Sequence, residues 1–192
     1  ASMQMNSQKG KKKLTEISVI GSGIAGITTA FHLGRKGYKV NLIDQTVSSE
    51  INTLNPKNGT QASLGILMGN IYKRSQGRAF SLRNKSMKLW KEWLSQINYS
   101  GDDFIFEKPL IKLANSEKEY QYMINIIKNK KEYGIELLDK NALNFWNSIF
   151  ETKLIGGLIS YEDGRLNPIK LIQSLMKSLD AIKINKIDKN VS

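Results

Sequence analysis

The chain has 192 residues, 40% apolar and 24% charged, which suits one globular domain or one large domain with an insertion. It has no cysteine and a single histidine, His32, so disulfides, thiol nucleophiles, cysteine-ligated metal and multi-histidine metal sites are excluded, and no metal ligand is assigned. The net charge of +12 comes from scattered lysines without interleaved aromatics, a composition bias rather than a nucleic-acid surface.

The chain opens with a polar leader, residues 1–15, that contains "KGKKK" at Lys9–Lys13 and begins "ASM" like a tag remnant; it reads as disordered. Leader and "ISVIGSGIAGITTAF" together imitate a secretory signal. Against that, the glycines have fixed spacing, a charged strand-rich segment follows, and no small-residue cleavage site is present. No apolar run approaches the roughly 18 residues of a membrane span, so a cytoplasmic protein without a membrane partner is expected.

"ISVI" (Ile17–Ile20) is β-branched and bounded by glycine, which predicts a buried parallel strand. After Gly21 the apolar residues switch to helical spacing at Ile24, Ile27 and Phe31, and Gly37 follows the basic pair Arg35–Lys36 as a helix end prefers. "YKVNLID" (Tyr38–Asp44) is a second strand, which completes a βαβ unit with parallel strands. "NPKNGT" marks a turn, and "ASLGILMG" (Ala62–Gly69) is small and apolar. Met87, Trp90, Leu94 and Ile97 predict one face of a helix over 78–97. "FIFEKPLIKLA" (Phe104–Ala114) reads as a strand with an edge or bulge at Pro109. "SEKE" (Ser116–Glu119) is a capping box for a helix through Tyr120, Met123 and Ile127 that stops at Gly134. "LLDKNALNFW" suggests a short helix, "LIGGLIS" (Leu154–Ser160) a strand, and "YEDG" a turn. Asn167 and Pro168 start a final helix that carries Ile169, Ile172, Leu175 and Leu179, and "AIKINKI" alternates as a last strand.

The chemistry concentrates in G-x-G-x-x-G at Gly21, Gly23 and Gly26. Gly21 permits a tight turn out of the strand, Gly23 lets backbone approach a pyrophosphate, and Gly26 lets the helix pack closely. The N–H groups of Ser22, Gly23, Ile24 and Ala25 are then free to face phosphates at the positive end of the helix dipole. Asp44, at the end of the second strand, can accept hydrogen bonds from ribose hydroxyls, which disfavours a 2′-phosphate and hence NADP; Gln45 follows it. The motif alone does not separate NAD from FAD. His32 reads as a structural or surface histidine rather than a catalytic one, Trp90 and Trp93 as core or interface packing rather than a cofactor platform, and Glu162–Asp163 as turn chemistry rather than an acid/base dyad.

Four ordered segments resemble the D-amino-acid oxidase superfamily of FAD-dependent amine oxidases, the group of glycine oxidase and sarcosine oxidase. They are "VIGSGIAGITTAFHLGRKGYKVNLID", "GTQASLGILMG", "EKPLIKLANSEKEYQYMINIIKNKKEYGIELLDKNAL" and "GGLISYEDGRLNPIKLIQSL". The resemblance implies an α/β fold: a Rossmann-type FAD/NAD(P)-binding βαβ sheet with part of an inserted α+β substrate domain. Residues 16–72 and 160–192 would belong to the FAD-binding domain, and 73–159 would be the first part of the substrate domain. It implies FAD as cofactor, with Ala62 and Ser63 running past the flavin.

It further implies an amine or amino-acid substrate that gives hydride from its α-carbon to the flavin. Family members are much longer chains, and their second half supplies the groups that hold the substrate carboxylate. No residue here matches those groups, so no catalytic residue is assigned and the chain reads as an N-terminal portion. The alternative is a catalytically inactive nucleotide-binding remnant, or the partner-dependent half of a split oxidoreductase, with self-association through the surface its second half would cover.

Overall fold

The computed structural model describes residues 15–48, 58–72, 76–97, 106–130 and 133–191, so nearly all of the expected leader lies outside the described residues. The chain forms two compact units, Ala1–Ile51 with Leu175–Ser192, and Asn52–Ser174.

The first unit is built on β1 (Glu16–Ile20), α1 (Ile24–Arg35), β2 (Lys39–Asp44) and β9 (Asn185–Asp188), and takes the C-terminal part of α5 (Pro168–Ala181). Its sheet has the order β1-β2-β9 with both pairings parallel; Ile20 lies opposite Ile43, and Asp44 opposite Asp188. Strand alternation buries Val40 and Leu42, and helical spacing buries Ile27, Ala30 and Phe31. The helix ends as its sequence suggests. Lys36 is the C-cap, and Gly37 takes φ +83° and donates its N–H to the Gly34 carbonyl at 2.9 Å. A Cβ on Gly34 would lie 2.5 Å from Ile184 Cδ1, so this glycine lets the end of α1 meet the chain entering β9.

The second unit holds β3 (Ile66–Leu67), α2 (Arg78–Ile97), β4 (Phe106–Glu107), β5 (Leu110–Ala114), α3 (Glu117–Asn129), β6 (Ile135–Leu137), α4 (Lys140–Ile149), β7 (Gly156–Ser160) and β8 (Gly164–Leu166), in two antiparallel sheets of order β3-β8-β4 and β5-β7-β6. The single strand expected over 104–114 is two. Between them is Lys108–Pro109, where proline offers no N–H to a ladder, and the chain passes from one sheet to the other. β6 and β8 are too short for their alternation to be legible. α3 ends at Asn129, ahead of Gly134, and the last strand begins at Asn185 because α5 runs to Ala181. The capping box is half formed. Ser116 Oγ accepts the Glu119 N–H at 3.4 Å, while the Glu119 carboxylate reaches the Asn115 N–H instead of that of Ser116.

Met123 and Ile126 of α3 pack with Ala114, Ile135, Leu158 and Ile71 as the core of this unit. Gly156 gives Tyr120 its place there, since a Cβ would stand 2.1 Å from the ring. Pairing of β3 with β8, and of β7 with β5 and β6, keeps residues 58–72 and 160–174 in the second unit. The chain passes back into the first unit at Leu175, within α5.

Two buried charges brace this unit through one loop. Asp163, 0% exposed, accepts the N–H of Gly69 at 2.7 Å, of Asn70 at 3.1 Å and of Ile71 at 2.7 Å. Lys130, 1% exposed, donates from Nζ to the carbonyls of Asn70 and Tyr72, each at 2.7 Å. Burial pushes the Lys130 ammonium below the usual lysine value, against the pull of Asp163, and Arg83 adds to the lowering. Thus "YEDG" is turn chemistry, as expected, but its aspartate works inward on a segment far back in the chain.

Asp163→Ala is expected to cost about 3 kcal/mol or more, because it leaves the buried N–H groups of Gly69, Asn70 and Ile71 without an acceptor and removes the opposite charge that favours the buried Lys130 ammonium. Gly156→Ala is expected to cost about 1–3 kcal/mol by overpacking against Tyr120. Urea denaturation checks both, and a midpoint unchanged from the parent contradicts either.

Candidate functional site

The site is built where β1 turns into α1. Gly21 donates its N–H to the Ile43 carbonyl at 2.8 Å, which carries the β1–β2 ladder to the end of the strands, and then takes φ +100°, a value that side chains rarely tolerate. Gly23 is the N-cap of α1 and has no side-chain cap, and the helix's own first turn contains no acid. A Cβ on Gly26 would sit 1.8 Å from the Gly21 carbonyl oxygen and 3.7 Å from Val19 Cγ1. The third glycine of the motif is thus required by the turn itself before any contact with the sheet.

Asp44 ends β2 beside this turn. Its Oδ2 accepts the Ser22 N–H at 2.8 Å and its Oδ1 the Thr46 N–H at 3.1 Å. The expectation that the Ser22 N–H is free is corrected: Asp44 holds it, and Ser22 is 7% exposed. Burial raises the Asp44 carboxyl, but the Ser22 and Thr46 donors outweigh it and hold the group below the usual aspartate value. The Thr46 hydroxyl also donates to Oδ1, at 3.5 Å, so of the roughly four acceptor positions of a carboxylate at least three are engaged within the protein.

Gln45 turns outward and donates Nε2–H to Asn190 Oδ1 at 2.7 Å, and the Asp44 carbonyl accepts the Lys189 N–H at 2.9 Å. Asp188, which no sequence signal marks, lies opposite Asp44 at the end of β9 and accepts the Ser48 N–H at 2.9 Å. That bond holds its carboxyl low, against the charge of Asp44. The carboxyl ends of adjacent parallel strands therefore carry two acids side by side, an arrangement visible only once β9 is known to pair with β2.

Gly21, Ser22, Gly23, Ile24, Ala25, Gly26, Asp44 and Gln45 thus lie together in the first unit. Ala62 and Ser63 belong to the second, in a turn where their N–H groups go to the Asn58 and Thr60 carbonyls at 3.1 and 3.2 Å. His32 packs edge-on to Phe31 with ring centroids 5.5 Å apart, and burial, then Arg35 and Lys36, lower its pKa. Trp90 and Trp93 pack edge-to-face on α2 with centroids 5.6 Å apart. Among the described residues no group of acids and histidine could hold a metal ion, and no helix is long and apolar enough to cross a membrane.

A family model described as FAD dependent oxidoreductase, DAO, matches residues 16–184. The chain belongs to this family. Its cofactor is FAD, and the left-handed turn, the glycine against the turn carbonyl and the acid ending β2 fit the adenosine and pyrophosphate portion of that group. Solved structures of similar fold include glycine oxidase from Bacillus cereus ATCC 14579, with TM-score 0.73 and 18% identity over 92% of this chain and 46% of that one. Iminodiacetate oxidase from Chelativorans sp. BNC1 has TM-score 0.70 and 18% identity over 91% and 47%. The FAD-bound L-alpha-glycerophosphate oxidase from Mycoplasma pneumoniae has TM-score 0.65 and 15% identity over 90% and 44%. The chain spans less than half the length of each, and no curated protein matches it in sequence.

The low pKa of Asp44 fixes the sign of an acid effect. Its contribution to stability is present above the unfolded aspartate value and is lost as pH falls through the lower folded value. In Asp44→Asn the acid-induced loss of stability is expected to be smaller than in the parent. Urea midpoints measured between about pH 6 and pH 2.5 check this, and parallel curves contradict it.

Proposed function

We propose that this chain carries the ADP-binding half of the FAD site of an amino-acid or amine oxidase. The observation that supports it is the joint placement of Gly21, Gly26 and Asp44, with the Asp44 carboxylate anchored by the Ser22 N–H beside the start of α1. Gly23, Ile24 and Ala25 bring main chain to the pyrophosphate at the α1 N-terminus, and Asp44, beside Gln45, takes the ribose hydroxyls. By resemblance to the family, Ala62 and Ser63 run past the flavin, 16–72 and 160–192 form the FAD-binding part, and 73–159 begins the substrate part. When bound, the flavin supplies the hydride acceptor; this chain's own residues grip and orient it. The substrate is a small amine or amino acid. The cytoplasm is the assigned compartment, since a chain without cysteine requires no oxidising one.

A second reading, a half that turns over substrate only with a complementary chain or a second copy, is favoured by the exposed Phe145, Ile149 and Phe150. It predicts flavin retention without amine oxidation, together with association in gel filtration.

FAD titrated into the purified protein is expected to bind with saturable quenching of flavin fluorescence. Asp44→Ala is expected to weaken it about tenfold, the worth of about 1.4 kcal/mol of hydrogen bonding to the ribose. Absence of uptake by the parent overturns the FAD-grip reading. Equal affinity in a folded Asp44→Ala overturns the role of Asp44.

A further inference from the structure

A cleft of about 490 Å³ lies within the second unit, between α2 and two turns of the chain, lined by Asn70, Asn84, Met87, Lys88, Lys91, Tyr133, Gly134 and Glu162. Its volume is in the range of small-molecule sites. No residue of the FAD grip is among them, and the motifs of the sequence leave it without a role.

The walls of this cleft are fixed. Asn70 is held at its N–H by the buried Asp163 and at its carbonyl by the buried Lys130, so its main chain is clamped from both sides. Gly134, at φ +64°, accepts the Tyr161 N–H at 3.1 Å. On the α2 wall, Met87 and Asn84 press on Gly69, where a Cβ would stand 2.9 Å from Met87 Cγ and 3.3 Å from Asn84 Oδ1. A groove with pre-set walls loses little freedom when a ligand enters.

The charges select the ligand. Lys91 is paired with Glu162, which neutralises both. Lys88, one turn earlier on α2, has no ion-pair or hydrogen-bond partner among the described residues, and the amides of Asn84 and Asn70 add neutral donors. One unpaired cation with amide donors matches a single negative charge better than a doubly charged phosphate. Met87 and the Tyr133 ring add apolar surface for a carbon skeleton. We infer that this cleft binds a small monocarboxylate with an apolar body, its carboxylate on Lys88 and the two asparagine amides. This inference is independent of the flavin reading.

The probe is hexanoate, followed by NMR chemical-shift titration of the whole chain, with hexylamine as the control of opposite charge. Saturable binding of hexanoate below about 10 mM is expected, together with a Kd raised about fivefold in Lys88→Ala, the size of one charge-assisted contact at an open site, and unchanged in Lys183→Ala of the first unit. Lys88 is exposed, so its replacement leaves the fold intact. Three results overturn the inference: no saturation by hexanoate, an affinity indifferent to Lys88→Ala, or hexylamine bound as tightly as hexanoate. Inorganic phosphate that binds more tightly than hexanoate overturns the choice of a monocarboxylate.

Discussion

The turn between β1 and α1 depends on one close approach. The Gly21 carbonyl stands where a side chain on Gly26 would begin, at 1.8 Å from its Cβ position. Because the carbonyl occupies that space, α1 can start immediately after the strand, with its N-terminus at the carboxyl edge of the sheet. There the helix dipole and the main-chain donors point at the same volume. The bond from the Ser22 N–H to Asp44 ties that turn to the end of β2. The glycine turn and the acid that ends β2 are thereby one mechanical piece.

The second unit solves a comparable problem with charge. The segment 69–72 has no long strand to satisfy its main chain, so its N–H groups go to the Asp163 carboxylate and its carbonyls to the Lys130 ammonium. Burying either ion alone would be costly; placing both on one loop satisfies the loop and the ions together. The same arrangement sets Asn70 rigidly at the edge of the cleft against α2. Stability and a pre-formed surface arise there from a single device.

Family membership carries the cofactor, while the bonds within the first unit say how this chain would hold it. Asp44 does two tasks: it holds the Ser22 N–H of the glycine turn, and it fixes the chain that leaves β2 through the N–H and hydroxyl of Thr46. Asp188 adds a second carboxylate next to it, which makes the carboxyl edge of the sheet more acidic than the motif alone conveys.

The amino-acid sequence by itself determined the βαβ start, the long helix over 78–97, the glycine turn from Gly21 to Gly26 and the aspartate that ends the second strand. Each of these is written in local spacing: glycine offsets, a helical period, a strand that ends on an aspartate. The tertiary structure alone decided that the Ser22 N–H is occupied, that Asp188 stands beside Asp44, that 104–114 serves two sheets, and that Asp163 and Lys130 clamp the loop at Asn70. The partners in the Asp163 bonds are 92 to 94 positions apart, and those of Lys130 are 58 and 60 apart. At such separations, residue type and periodicity carry no information about pairing. A buried aspartate and a turn aspartate have the same letter, and only the packing of the sheets makes them different.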